Sequence, residues 1–223
     1  MLMQSIGMRR FKKNYTVICL LGLVMAGGLV AYWHVYVHPR YAVHLTPSAE
    51  LAISRREASD ESPPTADETR AYVVSPEAPR YLSIERLGIV ARVLQLGKAV
   101  DGKIAAPAGI WDVGWYEASQ PPGEPGVSFI DGHISGPTLR AVFTDLHMLR
   151  PDDEVTIERG DGTKLRFGVR RVQTQRVEDI DMDELLTSPV DGRPTLILMT
   201  CGGEFDPQSY AYDQRIVVIS TLL

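Results

Sequence analysis

The chain has 223 residues, 44% of them hydrophobic, and a formal net charge of −5. Setting aside the four basic residues Arg9, Arg10, Lys12 and Lys13 leaves −9 for the remainder, which lacks the basic footprint that phosphate contacts need and so argues against nucleic acid as a partner. The length admits one medium domain with accessory segments, and only two cysteines, Cys19 and Cys201, are present.

In chain order, residues 1–14 form a basic tail, with no acidic residue before Glu50. Residues 15–37 then run almost without charge. About 20 mostly apolar residues suffice to span a bilayer. Tyr32, Trp33 and Tyr36 gather at one end of this run, as an interfacial aromatic belt does. A cleavable signal peptide has a shorter apolar region and a small-residue cleavage site. The expectation is therefore an uncleaved signal-anchor, its N-terminus cytoplasmic by the positive-inside rule and everything after residue 38 outside.

Residues 38–79 change texture. The stretch 54–69 is polar, bears Pro63 and Pro64 and lacks apolar periodicity, so it reads as an extracellular linker. From residue 80 to 223 the pattern is that of a β domain. Runs at 81–84, 90–96 and 127–130 are strand-like, and residues 154–158 and 164–170 flank Arg159-Gly-Asp-Gly162 as a hairpin. In that hairpin Val155, Ile157, Leu165, Phe167 and Val169 alternate with polar neighbours, which is the period of a strand with one buried face. The runs 195–200 and 215–220 are denser and suit strands buried on both sides. Helical signal is confined to a short amphipathic piece near 182–186 and a turn near 143–148. Many short strands with frequent turns predict a mostly β fold, a closed or nearly closed barrel.

Cys201 ends the apolar run that starts at Thr195 and is followed by Gly202 and Gly203. Its only possible disulfide partner, Cys19, lies inside the expected membrane segment, so an exported domain would carry an unpaired thiol. That residue alone has two readings, a nucleophile or a buried core cysteine. Its company favours the first. His133 follows the strand at 127–130, and Arg215 opens the last strand. If the final two strands are antiparallel neighbours, Cys201 and Arg215 share one rim. A cysteine attacks as thiolate, scarce at neutral pH when the thiol pKa is about 8.5. An imidazole can take that proton or pair with the thiolate, and later protonate a leaving amine. A guanidinium supplies a permanent charge and forked donors, suited to an oxyanion or carbonyl.

These residues stand in Asp-Gly-His-Ile-Ser-Gly-Pro, Leu-Ile-Leu-Met-Thr-Cys-Gly-Gly and Tyr-Asp-Gln-Arg-Ile-Val-Val. In that setting residues 80–223 resemble the sortases. The connecting stretches 137–146 and 149–155 share the likeness, and Cys-Gly-Gly-x-Phe-Asp is most similar to class F sortases of actinobacterial type. One departure is Ile197, where the family commonly has the first threonine of Thr-Leu-x-Thr-Cys. The resemblance implies a closed barrel of about eight strands with short helices, and a membrane-anchored cysteine transpeptidase. Cys201 would attack an Leu-Pro-x-Thr-Gly-like sorting signal of secreted proteins, and an amine of a peptidoglycan precursor would resolve the thioacyl enzyme. His133 would act as acid and base, Arg215 would hold substrate or oxyanion, and Thr200 would help position substrate in the groove. No cofactor and no metal is expected.

Two other readings stay open at this stage. One is a membrane-tethered β domain for wall or protein binding in which Cys201 is inert. The other is a pilin-polymerising sortase. Those carry an inhibitory lid with an Asp-Pro-aromatic motif and often a C-terminal membrane segment. This sequence has no such motif and ends directly after its last strand, so wall anchoring is the expectation. The acidic run 179–184 is not an EF-hand loop, since the sixth-position glycine and twelfth-position glutamate are missing. It fits the start of a short helix better.

Overall fold

The alternation read from the sequence becomes eight strands in the computed structural model, which describes residues 60–100, 102–209 and 211–223. They are β1 (Pro79–Ile84), β2 (Ile89–Leu96), β3 (Val113–Tyr116), β4 (Val127–Gly132), β5 (Glu154–Arg159), β6 (Lys164–Arg176), β7 (Thr195–Asp206) and β8 (Ala211–Leu222). They close into a barrel in the order β1-β2-β3-β4-β7-β8-β6-β5, with β5 returning to β1. The pairs β2/β3 and β4/β7 are parallel and the others antiparallel. Closure removes the free edges at which an open sheet would recruit another chain.

Strand alternation divides the apolar residues between two cores. One fills the barrel and takes side chains from every strand, among them Leu82, Val93, Trp115, Ile130, Phe167, Leu198 and Val218. The second lies on the outer face of four neighbouring strands, where Tyr116, Phe129, Ile197, Met199, Val217 and Ile219 pack together. This is why the central runs of β4, β7 and β8 are apolar without alternation: both of their faces are covered. The cover is the β6–β7 connection. It carries the helix α2 (Met182–Thr187), whose Met182, Leu185 and Leu186 rest on the second core together with Val190. The acidic run does start this helix, and the Asp181 carboxylate caps it by accepting a 2.9 Å hydrogen bond from the Glu184 amide.

The hairpin forms as the alternation predicts, Val155 facing Phe167 and Ile157 facing Leu165. β6 nevertheless continues to Arg176, beyond the expected end at 170. Its second half pairs with β8, Gln173 opposite Val217 and Gln175 opposite Arg215, so a remote partner supplies the ladder that local patterning does not announce.

The expected linker is also more structured than its composition suggests. Its described part, from residue 60, contains the helix α1 (Ala66–Ala71), closed by a Thr65/Glu68 capping box. α1 buries no residue and is held by polar contacts, while Val74 and Ala78 nearer β1 pack against the barrel core. The Glu61 carboxylate accepts hydrogen bonds from the Thr138 amide (2.7 Å), the Thr138 hydroxyl (2.6 Å) and the Leu139 amide (2.8 Å). Trp111 Nε1 donates to the Glu61 carbonyl at 2.8 Å, and the Tyr72 hydroxyl to the Val93 carbonyl at 2.6 Å. Such bonds leave no apolar period in the sequence. The membrane span expected at 15–37 lies outside the described residues, among which no helix is long and apolar enough to cross a bilayer.

Candidate active site

β7 and β8 are antiparallel neighbours, and their register sets Cys201 directly opposite Arg215. On the other side of β7, the parallel register with β4 pairs Ile130 with Leu198 and Asp131 with Met199. Extended two residues past the paired segment, that register would set His133, just beyond β4, level with Cys201. Cys201 and Arg215 are thus cross-strand neighbours, and His133 stands one residue past the end of β4, the strand on the other side of β7. By alternation they project on the outer face, in line with Phe129, Ile197 and Ile219 of the second core. Their shared direction follows from the pleat, because residues two apart on a strand face the same way.

The thiol is half-buried and unpaired. Burial pushes it up from its ordinary value, the Arg215 guanidinium pulls it back, and the Asp131 carboxyl pushes it up further. The resting thiol is therefore favoured, and an attacking thiolate needs a proton acceptor beside it. His133 is tied through one ring nitrogen. Its Nε2 lies 2.7 Å from the Pro107 carbonyl oxygen, which can only accept, so Nε2 carries a hydrogen and Nδ1 is the nitrogen left to exchange a proton. The Phe143 amide also donates to the His133 carbonyl at 3.0 Å, which fixes the backbone of the residue.

Arg215 is held from its own strand. Its Nη1 donates to the carbonyls of Gln214 (2.7 Å) and Tyr212 (3.1 Å). Tyr212 in turn ties β8 to the loop after β4, its hydroxyl 2.9 Å from the Ser135 hydroxyl, two residues beyond His133. The Tyr212 ring leans on Phe205 at a centroid distance of 5.2 Å.

The glycines after Cys201 have a steric reason. Gly203 has φ +77°, and a Cβ there would stand 2.0 Å from Asp213 Oδ1, the atom that accepts the Glu204 amide at 2.7 Å. A Cβ on Gly202 would meet Ile216 Cγ1 at 3.0 Å. The ladder shifts register between Gly202 and Phe205, so Gly203 sits at the bulge just after the part of β7 that carries Cys201. Gly203→Ala is expected to cost at least about 1–2 kcal/mol from the left-handed backbone alone. It should also slow alkylation of Cys201; an unchanged urea midpoint and thiol reactivity would refute this account of the motif.

Thr200, expected to help position substrate, alternates with Cys201 and is 2% exposed, on the barrel side of β7, with its hydroxyl unpartnered. It faces the barrel interior, on the side of β7 opposite Cys201, and does not line the outer face. The sequence reading missed Asp131, Ser135 and Tyr212. Their signal was limited to proximity to His133 and Arg215, and their roles come from pairing between distant segments.

Residues 82–223 match the family model of the sortase domain. Curated proteins provide no match. Among solved structures, the lid mutant of Streptococcus agalactiae sortase C1 superimposes with a TM-score of 0.51 at 18% identity, covering 69% of this chain and 72% of that one. Sortase C1 from Streptococcus suis gives 0.50 at 19% identity, covering 70% and 79%. At such identity these structures speak for the fold, while the family model spans well over half of the chain. With a closed eight-stranded barrel that carries its single described thiol on a strand opposite an arginine, this chain belongs to the sortase family of cysteine transpeptidases.

Proposed function

We propose that this protein is a membrane-anchored transpeptidase, of class F type, that attaches secreted proteins to the cell wall by a C-terminal Leu-Pro-x-Thr-Gly-like sorting signal. The observation that carries the reading is the grouping of His133, Cys201 and Arg215 on one outer face, with Cys201 and Arg215 in direct register. In the first half-reaction the Cys201 thiolate attacks the scissile carbonyl, a carbon–sulfur bond forms, and the carbon–nitrogen bond breaks. His133, having taken the thiol proton at Nδ1, returns it to the departing amine. Arg215 faces the oxygen on which charge develops. In the second half an amine of a peptidoglycan precursor attacks the thioester, gives its proton to His133 and releases the thiolate.

The basic cluster at 9–13 and the uncharged run at 15–37 support an N-terminal anchor with the barrel outside. Protease added to intact protoplasts is expected to digest the barrel, and full protection there would reverse the topology. The test of the activity is cleavage of a peptide library by the full chain, with the cut site and a thioacyl adduct on Cys201 read by mass spectrometry. Pilin polymerisation shares this chemistry and differs in the amine. Supplying a wall-precursor amine and a pilin lysine side by side separates the two, the former being expected to react faster.

The wall of the groove offers a further test. α2 rests on the same outer face as Cys201, so exchanging residues 178–193 for those of another sortase should change peptide preference and leave the thiol alkylatable. An unchanged preference would put recognition elsewhere.

A further inference from the structure

Asp131 is a half-buried acid, its Oδ1 shut off from solvent, that the proposed reaction does not use. It sits on β4, two residues before His133, and alternation directs it to the outer face that carries Cys201. Its Cα partners are Met199 on β7 and Gly114 on β3. Gly114 leaves room for it: a Cβ on that glycine would lie 2.8 Å from Asp131 Oδ1 and 2.4 Å from Leu96 Cδ1. The carboxyl is thus tucked over a bare stretch of backbone beneath a leucine, and Oδ1 has no hydrogen-bond partner. An acid packed this way in a strand usually acquires a partner or is replaced by an apolar residue. Here the nearest ionisable chemistry is the catalytic group itself.

We propose that Asp131 is a fourth ionisable member of this centre, a positioning residue that sets how much of Cys201 stands as thiolate without touching substrate. The inference rests on Cys201 being the nucleophile. As a neutral acid Asp131 leaves the thiolate to Arg215 and His133. Once ionised it places a second negative charge on the same face, which favours the thiol. Burial pushes its carboxyl up to about 7, so the change falls near neutral pH. The groups facing it are His133 on its own strand end, Cys201 on β7 and Tyr116 on β3, with Arg215 one strand beyond. Arg92, the cation of β2, is committed to Asp112, with Nη2 2.7 Å from Oδ2.

The test uses the full chain with Cys19→Ser, so that Cys201 is the single thiol, and reads its alkylation rate by iodoacetamide against pH. Asp131→Asn and Asp131→Leu are each compared with the parent, and thermal melts check folding. The ratio of variant to parent is expected to be near one at about pH 5.5, where Asp131 is neutral in the parent, and to rise severalfold by about pH 8.5. A ratio that is flat across pH, or below one at high pH, overturns the proposal, because a merely structural role shifts the rate at every pH alike. Agreement of the two variants guards against an effect of the Asn amide. The readout needs no peptide. A flat ratio with an inactive Cys201→Ala sinks this inference alone, whereas a rising ratio with an active Cys201→Ala sinks the nucleophile assignment.

Discussion

Cys201→Ala is expected to abolish both peptide cleavage and the thioacyl adduct, since no other side chain of the site is a comparable nucleophile. His133→Ala should keep the thiol and lose proton transfer, a fall of about a hundredfold to ten-thousandfold. Arg215→Lys retains the charge but not the planar fork, so it should be nearly as damaging as Arg215→Ala if the contact is directional. All three ought to fold, because these residues lie on the outer face while the barrel's interior is filled by others. The measurement is turnover of a sorting-signal peptide set against the melting temperature of each variant. Wild-type turnover in Cys201→Ala would refute the transpeptidase assignment. Lost stability with no loss of specific turnover would mean that the cysteine is a core residue.

Asp131→Asn should stabilise the fold, and do so only above acidic pH. In the unfolded chain this carboxyl releases its proton near 3.8, whereas desolvation over Gly114 on the outer face holds it until about 7. Between those values the folded state binds the extra proton, so stability falls as pH rises through the window and levels off above it. Each unit of displacement corresponds to about 1.4 kcal/mol, so the penalty is on the order of 4 kcal/mol at pH 8 and absent below about pH 4. Removing the charge should recover much of that penalty. Urea unfolding of the full chain, followed by tryptophan fluorescence at about pH 4 and pH 8, would show a variant-minus-parent difference that grows with pH. An equal difference at both pH values would mean that the acid is ionised and solvated in the fold, contrary to its buried placement.

Much of the barrel was legible because its signals are local. Val155, Ile157, Leu165, Phe167 and Val169 declare their hairpin by period two, and the doubly apolar runs of β7 and β8 announce strands covered on both faces. Cys201, His133 and Arg215 were legible for a different reason: each is a reactive type at the end of a strand, in an order and context that resemble a known family. For Thr200 the motif names the residue, but only the pleat tells that it occupies the barrel side of β7. From residue 60 to β1 the composition reads as linker because Glu61, Thr65 and Tyr72 act through hydrogen bonds, which carry no periodicity, and only Val74 and Ala78 reach the core.

By itself, then, the sequence determined the β character, the turn positions, the reactive residues and the charge balance that disfavours nucleic acid, all of which depend on residue type and short-range spacing. The tertiary structure decided which strands are neighbours. That choice set Cys201 against Arg215, put His133 just past the strand on the other side of β7, tucked Asp131 over Gly114 and laid α2 across the outer core. Registers between segments far apart in the chain are chosen by the packing of two cores at once, and no local pattern records them.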